Sequence, residues 1–156
     1  MELKMHNILE DSEKQIIIGW KEWVTINGLR LPPLKAKIDT GAKTSCLHAL
    51  NIRTFHNEGQ PWVSFITQTC GHKQPGKDIE CNAPIHDLKT VTNSGGHSQK
   101  RYTILTEVAI GEWMGLTEIT LSARPKMRYR MLVGRETLKQ AQYIVDSSKS
   151  YLLEKK

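Results

Sequence analysis

Leu34, Ala36 and Ile38 alternate with Lys35 and Lys37, a period of two that predicts a half-buried strand ending at Asp39. Upstream, Ile16 to Ile26 is rich in β-branched and aromatic residues and predicts another strand. The Asn27-Gly28 pair that follows is the dipeptide favoured in two-residue hairpin turns. Leu29 to Ile38 is then the returning arm, its first half weakened as a central strand by Pro32-Pro33. Trp62 to Thr69, Thr103 to Ile110, Leu116 to Leu121 and Met131 to Val133 predict further strands, the last closed by Gly134. Only Glu136 to Gln142 has helical character. Between Gly71 and Lys100, Pro75, Gly76, Pro84, Asn93, Gly95 and Gly96 predict a long, turn-rich connection, of the kind that serves as a binding loop or lid. Residues 1–14 read as a polar lead-in and 15–156 as a single domain without internal repeats. The expected fold class is all-β with one short C-terminal helix.

Composition narrows the function. A chain of 156 residues and 17.8 kDa suits one domain with a real core. Its 38% hydrophobic and 24% charged content is that of a globular protein rather than a disordered one. No apolar run approaches the roughly 18 residues of a membrane span, and Met1 to Lys14 lacks the apolar stretch of a signal peptide. Cytoplasmic residence is therefore expected, with no membrane partner. Three cysteines, Cys46, Cys70 and Cys81, do not make a disulfide scaffold. The net charge of +6 suits an anionic partner, whether nucleic acid, membrane or acidic peptide. No basic-aromatic motif or helix-turn-helix pattern points to nucleic acid, and no P-loop points to direct use of ATP.

The chemistry sits in Ile38-Asp39-Thr40-Gly41-Ala42, where an apolar strand delivers an acid, a hydroxyl and a glycine that permits a tight turn. Two carboxylates about 3 Å apart cannot both ionise readily and share a proton. The ionised one activates a water while the protonated one polarises a scissile carbonyl. An isolated Asp-Thr-Gly is more often an ordinary Asx-turn. No second Asp-Thr/Ser-Gly occurs in the chain, so a carboxylate pair needs Asp39 of another subunit, hence a two-fold homodimer.

Other residues bear on the identification. Strand, Asn27-Gly28, strand and Asp39-Thr40-Gly41-Ala42 are followed much later by Met131-Leu132-Val133-Gly134-Arg135 and a short helix through Leu138. Ser94-Gly95-Gly96-His97-Ser98 lies between them, before a strand from Tyr102. This order resembles retroviral proteases. Lys37 to Ser45 with Leu47-His48-Ala49, Ser94 to His97 before Arg101-Tyr102, Met131 to Arg135, and Val145-Asp146 with Ser150-Tyr151-Leu152 more closely resemble the retropepsin-like peptidases once labelled "ATP-dependent zinc proteases". The resemblance implies a closed or partly open barrel of the acid-protease type and an aspartic peptidase without a cofactor. It implies Asp39, Thr40 and Gly41 as catalytic residues, with Ala42, Lys43 and a flap containing Gly95, Gly96 and His97 against substrate. Gly134 and Arg135 would be structural residues beside the site. It also implies a functional link to ATP-grasp glutamate ligases.

In one place the chain departs from the retroviral pattern. Lys43 stands where those enzymes carry an acid that pairs with the arginine of the Gly-Arg segment. Arg135 therefore needs another anion, such as Asp146, Asp87 or the substrate. Arg124, Lys126, Arg128 and Arg130 crowd the approach to Gly134, and if Arg128 and Arg130 line the cleft the preferred peptide is acidic or polyglutamylated. Two alternatives stay open. Cys70, His72, Cys81 and His86 supply ligand types for zinc, although their spacing fits no common module and His-Glu-x-x-His is absent. A peptide-binding module on a protease-like fold is the other. Cys46 with His48 is a weaker nucleophile–base pair, since residues two apart on a strand share a face without touching.

Overall fold

A computed structural model of the chain describes residues 15–69 and 76–153. The period-two alternation in β3 (Leu34–Ile38) buries Leu34, Ala36 and Ile38 and leaves the lysines between them outside. The strands before it are β1 (Ile16–Gly19) and β2 (Lys21–Ile26). After it come β4 (Ser45–His48), β5 (Leu50–Asn57), β6 (Gln60–Gln68), β7 (Asp78–Pro84) and β8 (Asp87–Thr92). The chain continues through β9 (Ser98–Ile110), β10 (Trp113–Ser122) and β11 (Met131–Val133), then helix α1 (Arg135–Ala141) and β12 (Tyr143–Asp146). The expected β-rich chain with one short helix is what the structure shows, and no helix among the described residues is long and apolar enough to cross a membrane.

One sheet runs in the order β10-β4-β11-β3-β2-β9-β8, and β9 pairs with β10 as well, so its hydrogen bonding returns to the starting strand. Inside lie Ile26, Leu34, Leu47, Ile104, Val108, Ile119 and Met131, all essentially inaccessible to water. A three-stranded sheet, β5-β6-β7, adds Val63, Phe65 and Ala83 to the same core. Apart from both, β1 and β12 pair in parallel, Ile16 opposite Tyr143 and Gly19 opposite Asp146.

Three sequence expectations are corrected. The apolar segment Ile16 to Ile26 is two strands, because Ile18 turns into the core while the chain breaks at Trp20. Asn27-Gly28 is no two-residue hairpin turn: Asn27–Leu29 forms a 3-10 turn, and Arg30 takes the left-handed conformation. A Cβ on Gly28 would lie 2.1 Å from Thr106 Oγ1, so this glycine serves close approach to β9. The returning arm forms a strand from Leu34, as its alternation and the weakening by Pro32-Pro33 predicted, since the prolines supply no ladder N–H. Within the supposed connection Gly71 to Lys100, the described part holds β7, β8 and the start of β9; β7 and β8 are polar edge strands that pair with their neighbours in sequence, β6 and β9.

Position matters most at β11. It lies between β3, parallel, and β4, antiparallel, with Val133 opposite Ile38. The ends of β3 and β11 therefore coincide, bringing Asp39 beside Gly134.

Candidate active site

Asp39 leaves β3 with its backbone N–H donating to the Val133 carbonyl at 2.9 Å, one step beyond the parallel ladder. The chain then reverses. Ala42 N–H donates to the Asp39 carbonyl at 3.2 Å, and Gly41 N–H to Asp39 Oδ1 at 3.0 Å. That is the Asx-turn any such tripeptide could adopt; the difference here is how the turn is clamped from behind. Arg135 N–H donates to the Ala42 carbonyl at 2.8 Å and Glu136 N–H to the Lys43 carbonyl at 3.0 Å. A Cβ on Gly134 would sit 2.6 Å from the Thr44 carbonyl carbon, so only glycine allows the two segments this close.

A buried hydroxyl chain completes the clamp. Gly134 N–H donates to Ser45 Oγ at 3.0 Å, Ser45 Oγ lies 2.7 Å from Thr137 Oγ1, and Thr137 Oγ1 lies 2.6 Å from Thr117 Oγ1. It joins β4, α1 and β10 under the turn, so the turn is held on a rigid base. Sequence reasoning missed these three residues, because a buried hydroxyl reads as polar surface until its partners are known.

Arg135 answers its own question. Its Nη1 donates to the Thr40 carbonyl at 2.9 Å, so among the described residues a backbone oxygen takes the place of the anion expected from the sequence. Asp146 and Asp87 are occupied locally. Ser148, through hydroxyl and backbone N–H, binds Asp146 and holds its carboxyl below the usual carboxylate range, while Asp87 Oδ1 accepts from Leu88 N–H.

Two clefts flank the turn. One, about 310 Å³, is lined by Asp39, Trp20, Lys37, Arg124, Arg128 and Tyr129. Its wall is stiffened by an edge-on contact of the Trp20 and Tyr129 rings, 6.0 Å between centroids. In the sequence Lys37 reads as the polar half of an alternating strand and as part of the family-like segment, and Trp20 as a strand residue, neither as a site candidate. The other cleft, about 590 Å³, runs between α1 and β12 and is lined by Thr40, Arg135, Leu138, Tyr143 and Ile144 among others. Arg130, expected beside Arg128, is buried and donates through Nη1 to the Pro125 carbonyl at 3.3 Å.

Gly95, Gly96 and His97 occupy the exposed tip of the β8–β9 hairpin, away from the turn's own contacts. Asn93 organises that tip: its Oδ1 accepts from Gly95 and His97 N–H, each at 3.0 Å. Gly96 has φ +82°, the left-handed region. Lys43 is exposed and Ala42 half-buried beside the turn.

The other candidates do not come together. Cys81 is buried in the core, its thiol pushed up to about 11 first by burial and then by Glu80, and His86 lies on the outer side near Glu118 at 3.9 Å. Cys70 and His72 lie outside the described residues. Among the described residues no group of three His, Cys, Asp or Glu side chains converges. Cys46 and His48 are both buried and engaged separately, Cys46 Sγ by Arg101 Nη1 at 3.9 Å and His48 Nδ1 by Arg124 N–H at 2.8 Å.

A β-rich chain with one short helix, carrying an Asp-Thr-Gly turn seated on an apolar–Gly–Arg segment, defines a protein of the retropepsin-like class. The model of the RimB-like family, described as retropepsin-like aspartic endopeptidase RimB, matches residues 17–156, and the chain belongs to that family. Among curated proteins, probable alpha-L-glutamate ligases are similar to it. That of Shewanella pealeana is 39% identical over 145 residues, and that of Parasynechococcus marenigrum 36% over 140. The matches cover 93% and 90% of this chain but only 31% and 30% of the relatives, so the chain spans about a third of their length. Among solved structures, a Legionella pneumophila protein of unknown function is similar with a TM-score of 0.72 at 27% identity, covering 89% of this chain and 98% of that one.

Proposed function

We infer that the chain is an aspartic-type endopeptidase whose active unit is a homodimer, with Asp39 of each subunit forming the catalytic pair. The observation that carries this reading is the turn itself. Asp39 is presented beside an open cleft, its Oδ1 fixed by Gly41, on a base locked through Gly134 and Ser45. Family membership supports the same chemistry. In the dimer one carboxylate, ionised, takes a proton from water, which attacks the peptide carbonyl. The other, protonated, hydrogen-bonds the carbonyl oxygen and stabilises the tetrahedral state. The second subunit would dock on the face that joins Thr40 and the α1–β12 groove to β1. There Ile16, Ile17 and Ile144 are 45%, 53% and 42% exposed.

The substrate is an acidic, glutamate-rich or polyglutamylated peptide. Lys37, Arg124 and Arg128 surround the Asp39 cleft with positive charge, and the naming of relatives as probable alpha-L-glutamate ligases supports a link to glutamate chemistry. A glutamate ligase activity that makes such tails is the partner in function. The β8–β9 hairpin would close over the bound peptide and exclude water.

Asp39→Asn, tested on a peptide panel with mass-spectrometric detection, is expected to abolish cleavage of glutamate-rich peptides, by at least about a thousandfold. Circular dichroism and melting should stay those of the wild type. Cleavage by the variant at the wild-type rate would sink the mechanism. The ligase names of the relatives favour one rival, a peptide-binding module that cuts nothing. It predicts wild-type protein that holds glutamate-rich peptides yet leaves every one intact.

A further inference from the structure

The basic wall of the Asp39 cleft is a loop, residues 123–130, and both of its ends are tied to one residue. His48 N–H donates to the Arg130 carbonyl at 2.8 Å, and Arg124 N–H donates to His48 Nδ1 at 2.8 Å. Within the loop Met127 N–H returns to the Arg124 carbonyl at 3.0 Å, so the imidazole contact at Arg124 sets where Arg124, Met127, Arg128 and Tyr129 stand around the cleft. His48 is itself anchored. It is fully buried on β4, its carbonyl accepting from Thr67 Oγ1 at 2.6 Å and its neighbour Ala49 donating to Ser122 at 3.0 Å.

An Nδ1 that accepts a hydrogen bond carries no proton, so the imidazole is the neutral tautomer with its hydrogen on Nε2. Nε2 is buried without a hydrogen-bond partner among the described residues. A donor left so disfavours the arrangement, and an apolar side chain would fill the same space without that penalty. What an apolar side chain cannot supply is the acceptor for Arg124. We propose that His48 is a positioning residue for the candidate site: its neutral imidazole pins the basic loop against the Asp39 cleft, and the pin is released when Nδ1 is protonated. The clause about catalysis rests on the peptidase reading; the pin itself does not.

The surroundings oppose protonation. The loop brings the Arg130 guanidinium and the Arg124 amide, β6 brings the Thr67 hydroxyl and β10 brings Ser122, and none of these contacts is an acid. Burial first, and Arg130 second, hold the imidazole below its ordinary 6.5. Above 6.5 folded and unfolded chains are both neutral at His48 and the pin contributes fully. As pH falls from 6.5 towards the lower folded value, the unfolded chain takes up a proton that the folded chain refuses, and stability is lost across that window. Once the folded imidazole is protonated, its Nδ1–H faces the Arg124 N–H and the loop end lets go.

The test compares wild type with His48→Asn, whose Oδ1 keeps an acceptor near the Nδ1 position and cannot be protonated, and with His48→Leu, which has none. Amide hydrogen exchange by NMR reads Arg124 directly. Its protection factor in the wild type is expected to fall about tenfold or more as pH is lowered from 7.5 through the His48 titration, which lies below 6.5, in step with the His48 ring resonances. His48→Asn should keep protection without the acid loss, and His48→Leu should lack it already at pH 7.5. With a glutamate-rich peptide, wild-type KM should rise at acid pH with kcat less affected, and the KM of His48→Asn should stay flat. The proposal is overturned if Arg124 stays protected in folded His48→Leu, or if His48→Asn shows the wild-type acid loss. If His48→Leu does not fold, the asparagine variant alone decides. Should no peptide be cleaved by wild type, the peptidase reading fails while Arg124 exchange still decides the pin.

Discussion

Gly134 shows how much of the site rests on single atoms. Its φ and ψ of −91° and 176° suit any residue, so its need for glycine is steric: a Cβ would press within 2.6 Å of the Thr44 carbonyl carbon and 2.8 Å of its oxygen. Gly134→Ala is expected to destabilise the protein by about 2–4 kcal/mol, measured by urea unfolding, because backbone rather than a flexible side chain must move. A loss under about 0.5 kcal/mol would mean that the clamp is looser than its distances imply. From the sequence Asp39, Thr40 and Gly41 were legible as a candidate turn, and Arg135 as a residue needing a partner. That the partner is the Thr40 carbonyl was not legible, since backbone oxygens leave no trace in residue identity.

At the scale of elements, the β8–β9 hairpin is the part of the candidate site built with least support. Its tip is exposed and held by Asn93, whose Oδ1 accepts from Gly95 and His97 N–H and whose backbone pairs with His97 and Gly96. Asn93→Ala should cost at most about 1 kcal/mol of stability, since the freed N–H groups meet water. If the tip closes over substrate, KM for a glutamate-rich peptide should rise several-fold; unchanged steady-state kinetics would remove the hairpin from the site. Strands with strong period-two alternation, β3 above all, were legible in advance. Polar edge strands β7 and β8 were not: with pairing as their main support, they read locally as a turn-rich connection. Gly28 served packing against Thr106 rather than a tight turn, an outcome of contacts with a distant strand.

For the whole molecule, the proposed function turns on association. On that proposal a chain with one Asp-Thr-Gly turn would supply half of a carboxylate pair, and the exposed Ile16, Ile17 and Ile144 lie on the face proposed to meet the second half. Sedimentation should find wild type dimeric at tens of micromolar, on the order of protein–protein affinities for modest interfaces. Ile17→Asp should weaken the dimer at least about tenfold and lower cleavage in proportion, with the fold intact. A wild type that stays monomeric at every concentration, with or without peptide, would remove the shared pair. The sequence by itself determined the β-rich class, the short helix, the acid at the end of β3 and the basic charge, because each is written in local periodicity or in residue chemistry. The tertiary structure decided which distant segments meet: β11 beside β3, Ser45 under Gly134, and His48 at both ends of the basic loop. Those contacts join residues far apart in the chain, and their energies come from pairing and burial that no short window of sequence contains.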